Sequence, residues 1–412
     1  MSEVHSTHDQ LQDWLISNYG AEKFRPGLDR VRGFVQNELT QLKELSPRII
    51  TVAGTNGKGE TCMTLARLAQ EDGEAFVMWT SPHLLRVTER FQSEQGEISV
   101  GELSSILNEV RRDAQQSSAG LSYYEILFCA FLRWGIKRKP QTWIMEVGLG
   151  GRLDAVNLLD ASCVGLTSIS RDHQEFLGNT YSSILMEKLG VLRKETKLIS
   201  TLETKYLRSK TQEYCQKMEV QWTDLFETSQ LSLKSSFSER NRALASELWG
   251  RPVVSQKLAS FGPMPGRGEK WHFKGHEFIF YGSHNPDGMR KLVQLLVRGF
   301  YTKPQENIHQ IWAAFSHRPP QDLKAMMQIL GALVSEKRQV YLTQFNHPKA
   351  MPLDEWWKQD EGSPVRTIHE WNELLTDLSS TPACILVTGS YYFVATVQSH
   401  LLSIGGQPIL GR

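Results

Sequence analysis

The sequence predicts a two-domain α/β protein, with a mostly parallel sheet in a larger first domain and a second, smaller α/β domain after it. The chain has 412 residues, which is longer than one compact core usually supports. Short apolar runs alternate with helical patterns from about residue 47 onward, which is typical of a parallel sheet covered on both faces. Glycine and proline crowd into residues 261–270, where we expect the break between the domains.

The first domain is predicted as residues 1–262. Its alternation opens with a strand, a glycine-rich turn and the helical run TCMTLARLAQ. Two longer helical patterns, GELSSILNEVRRDAQQ and YYEILFCAFLRWGIKRK, lie between later strands. In chain order the predicted strands are RIITVAG, EAFVMWTS, TWIMEVG, SCVGLTSI and TKLIST.

The second domain is predicted as residues 271–412, after a hinge at 263–270. The alternation restarts there with new strands and helices. Two α/β domains joined by a hinge favour a ligand site in the cleft between them. The predicted strands are EFIFYGS, IWAAFS, RQVYLTQF and CILVTGS, and the predicted helices are DGMRKLVQLLVRGFY, DLKAMMQILGALV and YYFVATVQSHLLSI.

Composition and charge exclude several classes of partner. The chain has 46 Lys and Arg against 45 Asp and Glu, a formal net charge of +1, so a nucleic-acid partner is not expected. The polar start MSEVHSTHDQLQDW has no signal-peptide pattern, and no apolar run reaches the ~18 residues of a membrane span. Five scattered cysteines without a CxxC pair favour reduced thiols over disulfides or zinc. We therefore expect a cytoplasmic protein that binds neither nucleic acid nor membrane. We also expect a monomer.

The stretch TVAGTNGKGETC, residues 51–62, has the context of a phosphate-binding loop. A strand leads into glycines that can turn backbone N–H groups inward, and the following helix adds its positive dipole end. Lys58 supplies a point charge for phosphate. Gly59, however, follows Lys58 where the common pattern has Ser or Thr. An ordinary strand-to-helix turn is the alternative.

Eight motifs occur in a fixed order along the chain: GTNGKG, SPHLLRVTERF, EVGLGGRLDAVN, DHQEFLG, MEKLGVLR, PGR, GSHNPDG and TGSYYF. Together they resemble the folylpolyglutamate synthase/dihydrofolate synthase family of the Mur-ligase superfamily, from about residue 10 to the C-terminus. The resemblance implies a Mur-ligase-type P-loop domain with a pterin or folate groove, followed by a glutamate-ligase-like α/β domain.

The same resemblance implies an ATP- and Mg²⁺-dependent amide ligase that adds L-glutamate to dihydropteroate, to reduced folates, or to both. In that family ATP phosphorylates the acceptor carboxylate, and the amino group then displaces phosphate from the acyl phosphate. Catalysis of this kind is mostly positioning and charge stabilisation.

The resemblance assigns the loop and several distant residues to the nucleotide. Lys58 matches the phosphate-binding lysine and is a predicted catalytic residue. Arg267 is another, because a guanidinium at the hinge can reach the γ-phosphate when the domains close. Asn241 matches a nucleotide-contacting asparagine, with a helix cap as the alternative. The predicted ATP-binding residues are Gly54, Thr55, Asn56, Gly57, Lys58, Gly59, Glu60, Asn241, Arg267, Tyr281 and His284, with Asn285 beside the last.

Three residues are predicted as metal ligands. Glu146 ends the strand TWIMEV, and the carboxyl ends of parallel strands are where α/β enzymes place such groups. A surface glutamate is the alternative. His173 matches the family's second-metal histidine and is also a predicted catalytic residue, with Asp172 orienting it; a plain loop histidine is the alternative. Glu60 is the third predicted ligand, since carboxylates bind Mg²⁺ well.

Lys188 matches a lysine that is often carbamylated by CO₂ in this superfamily. Carbamylation would turn a cation into an anion able to ligate Mg²⁺, which makes Lys188 a predicted catalytic residue. An exposed lysine on a helix is the alternative.

The segment SPHLLRVTER resembles the one beside the family's pterin-binding region. The pattern LSYYE also echoes a family T-x-F-E helix that lines the same groove, which points to Ser122, Tyr124 and Glu125. Aromatic residues at helical spacing are more often core than ligand contacts. The predicted substrate-binding residues are Ser81, Pro82, His83 and Arg86.

Two positions depart from the family. Glu60 stands where a Ser or Thr hydroxyl normally ligates Mg²⁺, and two like charges ~4 Å apart repel by about 4 kcal/mol at an effective dielectric near 20. A metal between them would reverse the sign locally. Tyr281 stands where an aspartate normally holds the ribose, and it lacks the two carboxylate oxygens.

Three functions stay open on the sequence. The leading one is the folate-pathway ligase. The second is a non-catalytic binding protein that keeps the folate groove, motivated by Glu60 and Tyr281. The third is an amide ligase of the same superfamily that acts on a different carboxylic acid.

Overall fold

The computed structural model describes residues 5–20, 22, 25–228, 231–233, 235–253, 258, 261, 265–298, 308–357, 364–378 and 381–409. The chain divides into two compact units, Met1–Ala259 and Ser260–Arg412. Each unit is built on its own sheet with helices around it. The predicted fold class, two α/β domains with mostly parallel sheets, is confirmed.

The sheet of unit 1 has eight strands among the described residues, in the order β4-β3-β2-β5-β1-β6-β7-β8. All neighbours run parallel except β2–β3 and β3–β4. The central strand β1 lies between β5 and β6, and its last residues Val52 and Ala53 pair with Glu146 and Leu166. In chain order the strands are β1 (Arg48–Ala53), β2 (Phe76–Trp79), β3 (Phe91–Ser93), β4 (Gly96–Glu97), β5 (Thr142–Glu146), β6 (Cys163–Leu166), β7 (Lys197–Ser200) and β8 (Gln221–Asp224).

The helices of unit 1 cover this sheet, and their starts follow ordinary capping chemistry. Ser99 and Ser122, for example, accept hydrogen bonds from the backbone N–H groups three residues later. Short 3₁₀ turns span Val87–Arg90 and Ala155–Leu158. The helices are α1 (His8–Tyr19), α2 (Asp29–Phe34), α3 (Gln36–Leu45), α4 (Lys58–Glu71), α5 (Val100–Gln116), α6 (Tyr123–Arg138), α7 (Gln174–Leu177), α8 (Tyr181–Leu189), α9 (Lys205–Met218), α10 (Leu225–Thr228) and α11 (Phe237–Trp249).

Helix α6 forms the centre of the unit 1 core. Most of its residues are buried around the whole helix, so it packs on the sheet and under other helices at once. The ring of Phe131 lies 5.4 Å from that of Trp79 and 5.6 Å from that of Trp143. Gly135 admits this approach, because a Cβ there would meet the Trp143 ring at 2.4 Å.

The sheet of unit 2 has the order β13-β12-β11-β14-β10-β9-β15. Strands β13 to β10 in that order run parallel, whereas β9 is antiparallel to both of its neighbours. The strands are β9 (Arg267–Phe273), β10 (His276–Tyr281), β11 (Ile308–Ala314), β12 (Gln339–Gln344), β13 (Arg366–Glu370), β14 (Cys384–Gly389) and β15 (Gln407–Pro408). The helices are α12 (Pro286–Arg298), α13 (Pro320–Gly331), α14 (Leu353–Trp356), α15 (Glu373–Thr376) and α16 (Tyr391–Ser403).

Part of the predicted hinge is regular structure. Residues 267–270 belong to β9, which pairs with β10 from its first residue. Residues 263 and 264 of that segment lie outside the described residues. Within the described ranges, every helix is too short or too polar to cross a bilayer.

Candidate active site

The glycine-rich loop after β1 is tied to the segment that follows β6. Thr55 N donates to Ser168 O at 2.7 Å, and Asn56 N donates to Ser168 Oγ at 3.1 Å. The Asn56 amide also reaches Ser170 Oγ at 3.3 Å. Adjacent parallel strands end at the same edge of the sheet, so the two loops meet there. Sequence reasoning missed both serines, although Ser168 lies near the end of the predicted strand SCVGLTSI and Ser170 directly follows it.

Two glycines give the loop its shape. Gly54 has φ 146° and Gly57 has φ 98°, in the range that side chains rarely adopt. A Cβ at Gly54 would lie 1.8 Å from Thr167 Oγ1, and one at Gly57 would lie 2.5 Å from Asn241 Oδ1. Helix α4 starts at Lys58, directly after Gly57, so its free N–H groups and dipole face the loop. This arrangement suits a bound phosphate.

Two lysines are anchored on carbonyl groups of this loop. Lys58 Nζ donates to Thr55 O at 3.3 Å, and Lys188 Nζ donates to Gly54 O at 3.0 Å. Lys188 is 4% exposed, so the alternative of an exposed lysine is wrong. Burial, and next the charge of Lys58, lower the pKa of Lys188 from 10.5 to about 7. A substantial neutral fraction at neutral pH is therefore expected, and the neutral amine is the form that reacts with CO₂.

The EVGLGGRLDA motif holds the helix that carries Lys188. A Cβ at Gly151 would meet Glu187 O at 2.9 Å and Lys188 Cα at 3.1 Å. Arg152 N donates to Glu187 O at 2.8 Å, and Gly190 leaves room for the Arg152 side chain. Gly151 and Gly190 thus let helix α8 pack closely against the EVGLGGRLDA segment. This packing places Lys188 Nζ at the carbonyl group of Gly54.

Glu146 and Ser81 form an oxygen-rich corner at the end of β5. Ser81 N donates to Glu146 Oε2 at 3.2 Å, and Glu146 is 5% exposed. The buried Ser81 Oγ has no hydrogen-bond partner in the part of the chain that the structure describes. A hydroxyl and a carboxylate suit Mg²⁺, which is usually held by one or two protein oxygens together with phosphates and waters. Ser81 is a predicted substrate contact, and that role stays a prediction.

The three predicted metal ligands do not form one cluster. Among the described residues there is no group of three or more His, Cys, Asp or Glu side chains able to hold a metal ion. Glu146 is placed as a ligand should be, whereas Glu60 is bonded to a helix. The ligand roles of Glu146, His173 and Glu60 stay predictions.

His173 occupies an unusual backbone position. Its φ is 49°, a left-handed conformation, at the N-cap of α7. The buried Asp172 accepts a hydrogen bond from His173 N at 3.1 Å, and the imidazole lies 3.9 Å from the same carboxylate. The side chain is 47% exposed, so the imidazole is partly accessible to solvent. Left-handed non-glycine residues often occur at functional sites.

Glu60 and Asn241 are bonded to each other. Asn241 Nδ2 donates to Glu60 Oε2 at 2.6 Å, and Ser238 Oγ donates to Glu60 Oε1. Ser236, and not Asn241, caps helix α11, so the helix-cap alternative for Asn241 is wrong. The nucleotide role of Asn241 stays a prediction.

The SPHLLR segment is organised by a glutamate that sequence reasoning missed. Glu89 accepts hydrogen bonds from the backbone N–H groups of Leu84, Leu85 and Arg86 at 2.6, 2.9 and 2.8 Å. Arg86, a predicted substrate residue, forms an ion pair with Glu97 at 2.8 Å. The signal was present, because Glu89 lies three residues after Arg86 as in a capping box.

Replacing Glu89 with Gln is expected to lower the free energy of unfolding by about 1–3 kcal/mol, because three part-buried N–H groups lose one of the two acceptor oxygens that bind them. Urea denaturation measures this. Glu97→Gln is the control, since Glu97 is exposed and its ion pair is with the partly exposed Arg86, so it should change stability by less than about 1 kcal/mol. Equal losses in both variants would contradict the role given to Glu89.

His83 is held by a fully buried arginine. Arg90 Nε donates to His83 Nδ1 at 2.9 Å, and Arg90 is 0% exposed. Its two terminal nitrogens bind Glu22 at 2.9 and 2.8 Å. A permanently charged donor at Nδ1 requires the proton of neutral His83 to lie on Nε2. His83 is thus fixed as a donor on its other side, while Pro82 is exposed.

The Ser122–Glu125 pattern proves to be a helix start, with a tyrosine that faces the EVGLGG loop. Ser122 and Glu125 form a capping box for α6. Tyr124 Oη donates to Asp154 Oδ1 at 3.1 Å and accepts from Trp79 Nε1 at 3.2 Å. Burial raises the pKa of Asp154 and that of Tyr124. Tyr124 is therefore a buried hydrogen-bonding residue as well as part of the core.

The remaining predicted residues belong to unit 2. Arg267 Nη1 donates to Gly282 O at 3.1 Å, and its guanidinium lies 4.4 Å from the centre of the Tyr391 ring. The His284 ring lies 5.1 Å from the same ring. Tyr281 is 7% exposed and belongs to the apolar core of the unit. Its assignment to a ribose, like the nucleotide roles of Arg267 and His284, stays a prediction.

Comparisons with known proteins were made at the level of sequence and of structure. No family model matches the chain. A dihydrofolate synthase/folylpolyglutamate synthase of Escherichia coli is 38% identical over 188 residues, which cover 45% of this chain and 43% of that protein. The match with the Haemophilus influenzae protein of the same name also spans 43% of it, so the aligned segments span less than half of these relatives. A Bacillus subtilis protein of the same name is 23% identical over 445 residues, covering 97% of this chain and 100% of that protein.

Solved structures of low sequence identity share the fold of this chain. E. coli FolC in complex with DHPP and ADP superposes with a TM-score of 0.79 at 24% identity, covering 98% of this chain and 100% of that one. A bifunctional folylpolyglutamate synthase/dihydrofolate synthase from Yersinia pestis, complexed with AMPPNP and Mn ion, gives 0.77 at 23% identity with the same coverage. With its loop, its EVGLGGRLDA motif and its two-unit architecture, the chain is similar in sequence to proteins named dihydrofolate synthase/folylpolyglutamate synthase and shares the fold of their solved structures.

Proposed function

We propose that this protein is an ATP- and Mg²⁺-dependent ligase that joins L-glutamate to dihydropteroate, to a reduced folate, or to both. The observation that carries the proposal is the pair of lysines on the glycine-rich loop. Lys58 starts α4 and bonds Thr55 O, while the buried Lys188 bonds Gly54 O. Two amines that can carry positive charge and that bond the same phosphate-binding type of loop are suited to an anionic nucleotide and to a transferred phosphoryl group.

The residues support activation of a carboxylate by phosphorylation. A carboxylate is a poor electrophile, so phosphoryl transfer from ATP gives it a leaving group that the amino group of glutamate then displaces. The loop N–H groups and Lys58 would hold the phosphates in line. Glu146 and Ser81 would hold Mg²⁺, which supplies charge neutralisation at the phosphate oxygens. Asp172 would orient His173 beside the transferred group.

The names and ligands of relatives support the choice of substrates. The E. coli structure contains DHPP and ADP, and a Y. pestis structure contains Mn, AMPPNP and L-glutamate. In this chain, His83 with its fixed donor and Tyr124, which bonds Asp154, lie in the segments that the resemblance links to the pterin groove. We propose a cytoplasmic monomer in which unit 1 binds ATP and the pterin, and unit 2 serves glutamate ligation.

The contacts of Glu60 support catalysis over a binding role alone. The non-catalytic alternative was motivated by repulsion between Glu60 and phosphate. Both oxygens of Glu60 accept hydrogen bonds from α11, which spread its charge over neutral donors. The carboxylate therefore has a function in the apo protein that does not require loss of nucleotide binding.

Phosphate release from ATP tests the proposal. With Mg²⁺, L-glutamate and either dihydropteroate or tetrahydrofolate, release is expected to need all components and to match the amide formed. Lys58→Ala sets the background, and Lys205→Ala, an exposed lysine at the start of α9, is the control that should retain activity. Release no greater than that of Lys58→Ala would remove the enzymatic proposal. Turnover with a non-pterin acid alone would favour a ligase of another carboxylate.

A further inference from the structure

We propose that Glu60 is a positioning residue, which clamps the helix of the phosphate loop to α11 and so fixes the shape of the loop. The sequence left two other roles for it, a metal ligand and a repulsive neighbour of phosphate. The clamp itself follows from contacts within unit 1. Only its effect on nucleotide binding rests on the proposed function.

Glu60 uses both carboxylate oxygens on one helix. Oε1 accepts from Ser238 Oγ and Oε2 accepts from Asn241 Nδ2, the latter at 2.6 Å. The two donors are three residues apart on α11, and thus on one face of it. Ser236 and Glu239 form a capping box at the start of that helix, which holds the first turn in place. The carboxylate therefore meets a rigid pair of donors.

The same asparagine also forms a wall of the loop. A Cβ at Gly57 would meet Asn241 Oδ1 at 2.5 Å and Phe237 Cζ at 2.8 Å, so the first turns of α11 lie directly against the glycine. Asn241 is 1% exposed. Its amide orientation is fixed, because a flip would bring Oδ1 against the carboxylate of Glu60. Glu60 thus fixes the orientation of the Asn241 side chain, which packs against Gly57.

A hydroxyl at position 60 could not replace this clamp. Serine or threonine has one oxygen on a shorter side chain, so it cannot reach both donors. The Asn241 amide would then be buried without its acceptor, which is costly. A carboxylate in the first turn of α4 is also favoured by the dipole of that helix. The departure from the family at Glu60 therefore agrees with its surroundings in this chain.

A double-mutant cycle in the nucleotide-free and metal-free protein tests the clamp. Glu60→Ala, Ser238→Ala and the double variant are compared by urea denaturation with a chelator present. We expect the two sites to be coupled by about fivefold or more in the unfolding equilibrium constant, since they share a hydrogen bond. Glu60→Ala with Ser246→Ala, eight residues farther along α11, is the control pair and should be additive. Additive effects of Glu60→Ala and Ser238→Ala would overturn the proposal, because a clamp requires the two side chains to interact. Coupling between them would not be expected of a residue that only binds metal, since no metal is present.

A second measurement separates the clamp from the two earlier roles. Glu60→Thr, which restores a hydroxyl, is expected to raise the KM for MgATP about three- to tenfold and to change kcat less than twofold. The Mg²⁺ concentration that gives half-maximal activity, the Mg²⁺ midpoint, should stay unchanged. A lower KM would show that the carboxylate only repelled phosphate. A shifted Mg²⁺ midpoint would show a metal ligand, and either result overturns the proposal. If the protein has no turnover, the affinity for a non-hydrolysable ATP analogue measured by calorimetry replaces KM, and the apo cycle stays valid. If Glu60→Ala or Glu60→Thr does not fold, Glu60→Gln replaces it in the same measurement.

Discussion

Replacement of Lys188 with methionine is expected to lower ligase turnover about 100- to 1000-fold while raising the free energy of unfolding at neutral pH. The amine is buried and bonds Gly54 O, so it directly contacts the loop that would hold the phosphates. Methionine has a similar volume and no charge to bury. Loss of function together with a gain in stability is typical of a residue kept for chemistry.

The pH dependence gives the sign of the stability effect. Burial lowers the pKa of Lys188 from 10.5 to about 7, so between these values the unfolded chain binds a proton that the folded chain releases. The stability of the wild type then rises with pH across that window. Below it, both states are protonated and the burial of the charge is fully unfavourable. At pH 7 the variant should be more stable by about 2–4 kcal/mol, and the difference should vanish toward pH 10.

Urea denaturation of both proteins between pH 6 and pH 10 in CO₂-free buffer measures this effect, with Lys205→Met as the exposed control. If Lys188 is carbamylated, activity should also fall in CO₂-free buffer and return with bicarbonate. A variant that keeps turnover, or that is less stable at pH 7, would contradict the role assigned to Lys188.

The second large effect is expected for Gly54→Ala, which should lower the free energy of unfolding by about 3–5 kcal/mol and abolish nucleotide binding. The φ of 146° is unfavourable for alanine. The new Cβ would also lie 1.8 Å from Thr167 Oγ1 and 3.1 Å from Ser168 N. The loop would have to leave the segment after β6.

Gly73→Ala is the matched control for the backbone term, because Gly73 also has positive φ and a Cβ there would meet nothing within 4 Å. It should lose only about 1 kcal/mol. Adding Thr167→Ala to Gly54→Ala should recover part of the stability, since it removes the nearest clashing atom. Urea denaturation and calorimetry with MgATP provide the two readouts. A Gly54→Ala protein no less stable than Gly73→Ala would refute the assignment.

The central parallel strands and the phosphate loop could be predicted because their signals are local, whereas β3, β8 and β13 were not predicted. The apolar run before Gly54 and the carboxylate that ends TWIMEV both follow from the geometry of a buried parallel strand. Strand β9 was missed, because it starts within a glycine- and proline-rich segment that favours a turn. Strands β4 and β15 have only two residues each, too few to show a period.

The interactions within the site could not be predicted from local patterns. Glu60 and Asn241 are 181 residues apart in the chain, and the sequence of neither helix indicates that their side chains are hydrogen-bonded. The burial of Lys188 depends on glycines in another motif, so the helical pattern around it could not reveal its altered pKa. Such contacts depend on tertiary packing, which one sequence does not encode in any single window.

The central position of helix α6 has a consequence for motion. Because this helix is buried on nearly all sides, its amide protons should exchange with solvent only when all of unit 1 opens. Tyr124 stands at its first turn, and so the Tyr124–Asp154 hydrogen bond is attached to the segment of the unit that we expect to exchange most slowly. Local opening of other segments of unit 1 would therefore leave Tyr124 in place.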